Sequence, residues 1–80
     1  MSDVFGRIRA FFGVISRADT VEIAHNTCLA EDLPWEEPVS VTFEITSYQV
    51  MTKSDHKGGN VYIKINAQSG EVISAVLNPY

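Results

Sequence analysis

The sequence predicts an α+β fold: two N-terminal helices packed on a four-stranded antiparallel meander, in the order α-α-β-β-β-β. Three observations predict it. Apolar residues recur with a helical period as far as Glu31. From Val39 onward they alternate with polar ones, the period of a strand with one buried face. Short polar stretches then cut the alternating part into hairpin-sized runs. Eighty residues make one domain, residues 1–80, without internal repeats.

The first helix is expected over residues 3–15. Val4, Phe5, Ile8, Phe11, Phe12 and Ile15 share one face of a 3.6-residue period. Ser2 or Asp3 can cap its start, and Gly13 falls near its end. Gly6 weakens its first turn by up to about 1 kcal/mol relative to Ala. So large an apolar stripe must be covered. The simplest cover is the sheet of the same domain; a homodimer or a partner groove is the alternative. A membrane surface, with Arg7, Arg9 and Arg17 on the flanks, is a third.

The second helix is expected from an N-cap at Ser16 to about Glu31. Asp19 sits at its third position, where an acid favours the helix dipole. Val21, Ile23, Ala24, Thr27 and Cys28 form its buried face, with Leu29 off that face. Pro34 disfavours the helical conformation at Leu33 and ends the element.

Val39, Val41, Phe43 and Ile45 alternate with Ser40, Thr42, Glu44 and Thr46, placing the former on a buried face. The phase then slips, because Tyr48 and Val50 occupy even positions. A period-two element cannot change phase without a turn or bulge. A break at Thr46–Ser47 therefore gives strands near 39–45 and 47–53. The polar loop "SDHKGGN" ends in Gly58-Gly59, which permits positive φ. Asn60 to Asn66 follow as a strand with Val61, Ile63 and Ile65 inward. "NAQSGE" is a hairpin turn with Gly70 at the left-handed position, and Val72 to Leu77 form the last strand.

Composition narrows the function classes. The net charge of -4 argues against nucleic acid, whose binding depends on Lys and Arg neutralising phosphates. Asp19, Glu22, Glu31, Asp32, Glu36, Glu37 and Glu44 give residues 19–46 seven negative charges and no positive one. A single cysteine, Cys28, cannot form an internal disulfide, and no convincing signal peptide opens the sequence, so a cytoplasmic location is expected. No run of about 18 apolar residues exists to cross a membrane.

The stretch "YQVMTKSDHKGGNVYIKINAQSGEVIS" resembles the C-terminal half of the PepSY domain. That pattern is a strand with an aromatic start, a turn, a second strand, another turn and Gly-Glu-Val. Tyr48 and Val50, Val61 to Ile65, and "SGEVIS" stand at those places. The helix "DTVEIAHNTCLAEDLPWEEPV" is similar to the helix-then-strand opening of small stand-alone members. The likeness covers residues 17–77. Asn66 stands where the family often has Asp. The resemblance implies a binding or inhibitory module of the kind associated with protease propeptides.

No reactive set competes with that expectation. His25 and Cys28 are three apart on one helix and can meet, but Cys28 lies toward the acidic C-terminal half, where a thiolate is disfavoured. His25, Cys28 and His56 lack zinc-ligand spacing, and Glu31, Asp32, Glu36 and Glu37 lack the alternation of a calcium loop. Gly58-Gly59 precede a strand rather than a helix, so they are turn residues and not a phosphate loop. The expectation is a non-enzymatic module recognising a protein or peptide partner through an exposed sheet edge or the acidic region around Trp35, with no cofactor or metal. The alternative is a structural homo-oligomer or membrane-surface protein driven by helix 3–15. Partner-binding candidates are Trp35, Glu36 and Glu37, together with Phe5, Ile8 and Phe12 on the first helix.

Overall fold

A computed structural model describes residues 14–79. They form one helix, α1 (Arg17–Glu31), and four strands, β1 (Ser40–Glu44), β2 (Ser47–Met51), β3 (Asn60–Asn66) and β4 (Val72–Asn78). The strands lie in the order β1-β2-β3-β4, each antiparallel to the next. The fold class is α+β. The helix expected over residues 3–15 falls outside the described residues except at its end, and there it is corrected. Val14 and Ile15 are not helical. Ile15 is drawn into the core instead, its N–H donating to the Ala67 carbonyl (2.6 Å) and its carbonyl accepting from the Tyr48 hydroxyl (2.9 Å).

Helix α1 starts where Ser16 can cap it: the Ser16 hydroxyl accepts from the Asp19 N–H at 3.0 Å. It stops at Asp32, left-handed at φ 58, followed by a bond from the Leu33 N–H to the Cys28 carbonyl (2.8 Å). Its fully buried residues are Thr20, Ala24 and Cys28, one turn apart and all small. Ile23 and Thr27 flank that stripe half-buried, and Leu29 points to solvent, 70% exposed. The Thr20 and Thr27 hydroxyls donate to the Ser16 and Ile23 carbonyls (2.8 and 2.7 Å), so neither costs an unpaired polar group.

The sheet centre meets this stripe. Val61, Ile63 and Ile65 are wholly buried, as the alternation in β3 requires, and so is Val50 of β2. Val50 lies opposite Ile63, and Ile63 opposite Ala75, on the face toward α1. Each such aliphatic side chain contributes about 1.5–3 kcal/mol by leaving water. The rear face carries Gln49, Met51, Tyr62, Lys64 and Val76.

Two local features differ from the sequence expectation. The β1–β2 turn is a two-residue loop, Ile45–Thr46, closed by the Glu44–Ser47 pair. The break thus falls one residue earlier than Thr46–Ser47. Phe43 and Ile45 are not buried with Val39 and Val41. Ile45 sits at the loop tip at φ 51 and is 90% exposed, and Phe43 is half exposed with its ring edge-on to Tyr48 at 5.2 Å. The second feature is an irregularity between Lys64 and Ile65. Their partners are Ser74 and Val72, so Ile73 is the extra residue of a bulge and turns outward.

A β-branched side chain at positive φ is strained, and this loop position favours glycine. Ile45→Gly is therefore expected to stabilise the fold by about 1 kcal/mol, read as a rise in Tm of roughly 4–8 °C by calorimetry.

Candidate functional site

Both outer strands of the sheet are edges among the described residues, and they differ in character. β1 is short and ends in Glu44. β4 is seven residues, Val72–Asn78, without a charged side chain. Ile73, Val76 and Leu77 on it are all exposed. Edge strands ordinarily carry charges or prolines that stop another chain from pairing. Within β4 neither is present.

Beside this edge runs a groove of about 420 Å³, lined by Thr27, Ala30 and Glu31 of α1 and by Val72 and Ala75 of β4. Its cause is local. Of the three α1 residues lining the groove, Ala30 and Thr27 are small and Glu31 stands at the rim, so the helix does not fill the space over β4. Gly70 brings the β3–β4 turn against α1: a Cβ there would lie 3.2 Å from Ile23 Cδ1, and φ is +78, a left-handed position as expected. The strand is thereby held to the helix at its start, and the groove opens further along. Glu31 gives its rim a negative charge.

The residues singled out in the sequence are dispersed. Trp35 is half-buried against the core and stacks on His25 of α1, ring centroids 4.7 Å apart and 15° from parallel. It fastens the segment after α1 to the helix rather than standing free. Glu36 and Glu37 are exposed on that segment. The segment is tied to the β2–β3 loop by the Lys53 N–H to the Glu36 carbonyl and the Ser54 N–H to the Pro38 carbonyl, both 2.9 Å. Phe5, Ile8 and Phe12 lie outside the described residues.

Cys28 is fully buried and burial pushes its thiol pKa up, whereas the His25 ring is directed to Trp35. His56 is paired with Asp55 at 2.9 Å in the β2–β3 loop, remote in sequence from both. The hydrogen bond from His56 is the largest cause holding the Asp55 carboxyl below its ordinary pKa. Among the described residues no group of three or more His, Cys, Asp or Glu side chains is placed to hold a metal ion. No described helix is long and apolar enough to cross a membrane.

An exposed sheet edge is among the partner surfaces the sequence suggests, but the groove residues Thr27, Ala30, Val72 and Ala75 are not singled out by it. The available signal was the uncharged run "VISAVLN" at the end of a meander, where an edge strand must fall. In comparisons with known proteins, no family model, curated protein or solved structure matches the chain.

Two outcomes check this placement of side chains. Trp35→Ala is expected to cost about 2 kcal/mol in denaturant unfolding, through lost packing and the lost stack on His25. Cys28 is expected to be inert to a thiol reagent such as DTNB in the folded state and to react fully once denaturant unfolds the chain.

Proposed function

We propose that the protein is a non-enzymatic binding module, PepSY-like over residues 17–77, that takes up an extended peptide segment of a protein partner as an added strand on β4. The observation that carries this is the groove between α1 and the uncharged strand β4, an edge of the sheet among the described residues. An added strand would gain main-chain hydrogen bonds along Ile73–Leu77, with alternate side chains dropping into the space over Val72 and Ala75. Glu31 at the rim favours a basic residue at one end of such a peptide. Groove size over Ala30 and Ala75 favours medium apolar side chains in the alternate positions. The PepSY resemblance, with its binding and inhibitory modules, points the same way. Trp35, Glu36 and Glu37 take a supporting part, since the tryptophan already belongs to its own domain's packing.

Peptides selected from a random display library against the whole protein test the proposal. Their binding is expected to perturb the backbone amides of Ile73–Leu77 and to reach a Kd on the order of 10 µM. Ala30→Tyr, an exposed position, is expected to fill the groove and weaken binding at least about tenfold with the fold intact. Selected peptides that map elsewhere, or that bind Ala30→Tyr unchanged, would contradict it.

A further inference from the structure

The rear face of the sheet carries a second hollow, of about 460 Å³, lined by Met51, Ser54, His56, Lys57, Asn60 and Tyr62. This volume lies within the range of small-molecule sites. Its floor is apolar: Met51 and Tyr62 are directly paired across β2 and β3, on the face turned away from α1. Its rim is the β2–β3 loop, and one side chain fixes that loop. The Asn60 amide donates to the carbonyls of Thr52, Lys53 and His56 at 2.7, 2.9 and 3.2 Å, while its carbonyl oxygen accepts from the Gly58 N–H at 2.9 Å. Asn60 is itself 2% exposed, so the rim is pinned from within. Gly58 and Gly59, at φ 95 and 73, let the loop turn there.

The charge of the hollow runs against that of the chain. All three lysines, Lys53, Lys57 and Lys64, fall in this loop and β3, and Lys57 lines the hollow. Asp55, the loop's carboxylate, is engaged by His56. Ser54 donates its hydroxyl to the Pro38 carbonyl (3.3 Å), and Lys57 and Tyr62 bring an ammonium-bearing and a hydroxyl-bearing side chain to the lining. From this combination of aromatic and thioether floor with a cationic rim, we propose that the hollow binds a small organic anion: a carboxylate on a flat apolar body. The thioether and ring of the floor pack on the flat body, and Lys57 meets the carboxylate. This site is separate from the β4 groove, since Tyr62 and Met51 face away from α1.

Titration with benzoate, its uncharged analogue benzamide and inorganic phosphate, followed by amide chemical shifts, tests the proposal. Benzoate is expected to saturate shifts at Gly58, Gly59 and Tyr62 with a Kd on the order of 1 mM, and the other two probes to bind at least about tenfold more weakly. Lys57→Gln is expected to weaken benzoate about tenfold, while Lys64→Gln, outside the lining, leaves it unchanged. Unsaturable benzoate shifts, benzamide or phosphate binding as tightly as benzoate, or a Lys57→Gln protein that binds as the parent does would each overturn it. Peptide binding at β4 is read separately, so either site can fail alone.

Discussion

The domain depends on a helix that meets its sheet through small side chains. Thr20, Ala24 and Cys28 are all fully buried, and the aliphatics of β2 and β3 supply the bulk they lack. Pairing small with large across the layers lets the helix sit close and fill the space without strain. The arrangement also sets limits on what α1 can cover. A narrow stripe protects the sheet centre and leaves both flanks to other means. On the β1 side the segment after α1 does this with Leu33, Trp35 and Val39, each packed against the core. On the β4 side, among the described residues, Thr27, Ala30 and Glu31 line a groove that the helix leaves unfilled. The proposed peptide site is therefore a consequence of how the core is filled.

Polar groups lock the same architecture at its ends. The Tyr48 hydroxyl reaches from β2 to the Ile15 carbonyl and holds the entry to α1 against the sheet. At the opposite end, the Thr52 hydroxyl accepts from the Val61 N–H and Asn60 gathers the β2–β3 loop. No buried side-chain nitrogen or oxygen among the described residues lacks a hydrogen-bond partner. That matters in a domain of 80 residues, where the net stability is small and one orphaned polar group costs about 1–3 kcal/mol.

Much of this was legible in residue order. Ser16, Pro34 and the spacing of Ala24 and Cys28 define α1 because capping and helical period act locally. Val61, Ile63 and Ile65 announce the buried face of β3 because the strand alternates from Val61 onward. Reasoning failed where tertiary position overrides pattern. Ile45 continues the apolar alternation of β1 but lies in the hairpin loop, and no Gly or Asn marked that loop. Ile15 reads as the last member of a helical stripe, yet its backbone pairs with Ala67, a contact no local pattern encodes. The groove was hidden for a related reason. Ala30 and Ala75 matter by the space they leave, and sequence periodicity registers side chains that are present. Trp35 is singled out by residue type as a partner-binding candidate, whereas its ring packs against the core and stacks on His25, a placement that depends on tertiary structure.

The two proposed sites sit on opposite sides of one rigid layer. Strand addition would use the outer side of β4, an edge among the described residues, and the rear hollow uses side chains on the sheet face turned away from α1. Both follow from a helix seated closely on one face only. Replacing Ala24 by leucine tests that seating most directly, with Asn26→Leu on the exposed side of the same helix as the comparison. Denaturant unfolding is expected to show a loss of about 2 kcal/mol for Ala24→Leu and a change within about 0.5 kcal/mol for Asn26→Leu. Equal effects from the two substitutions, or an Ala24→Leu protein as stable as the parent, would contradict the account.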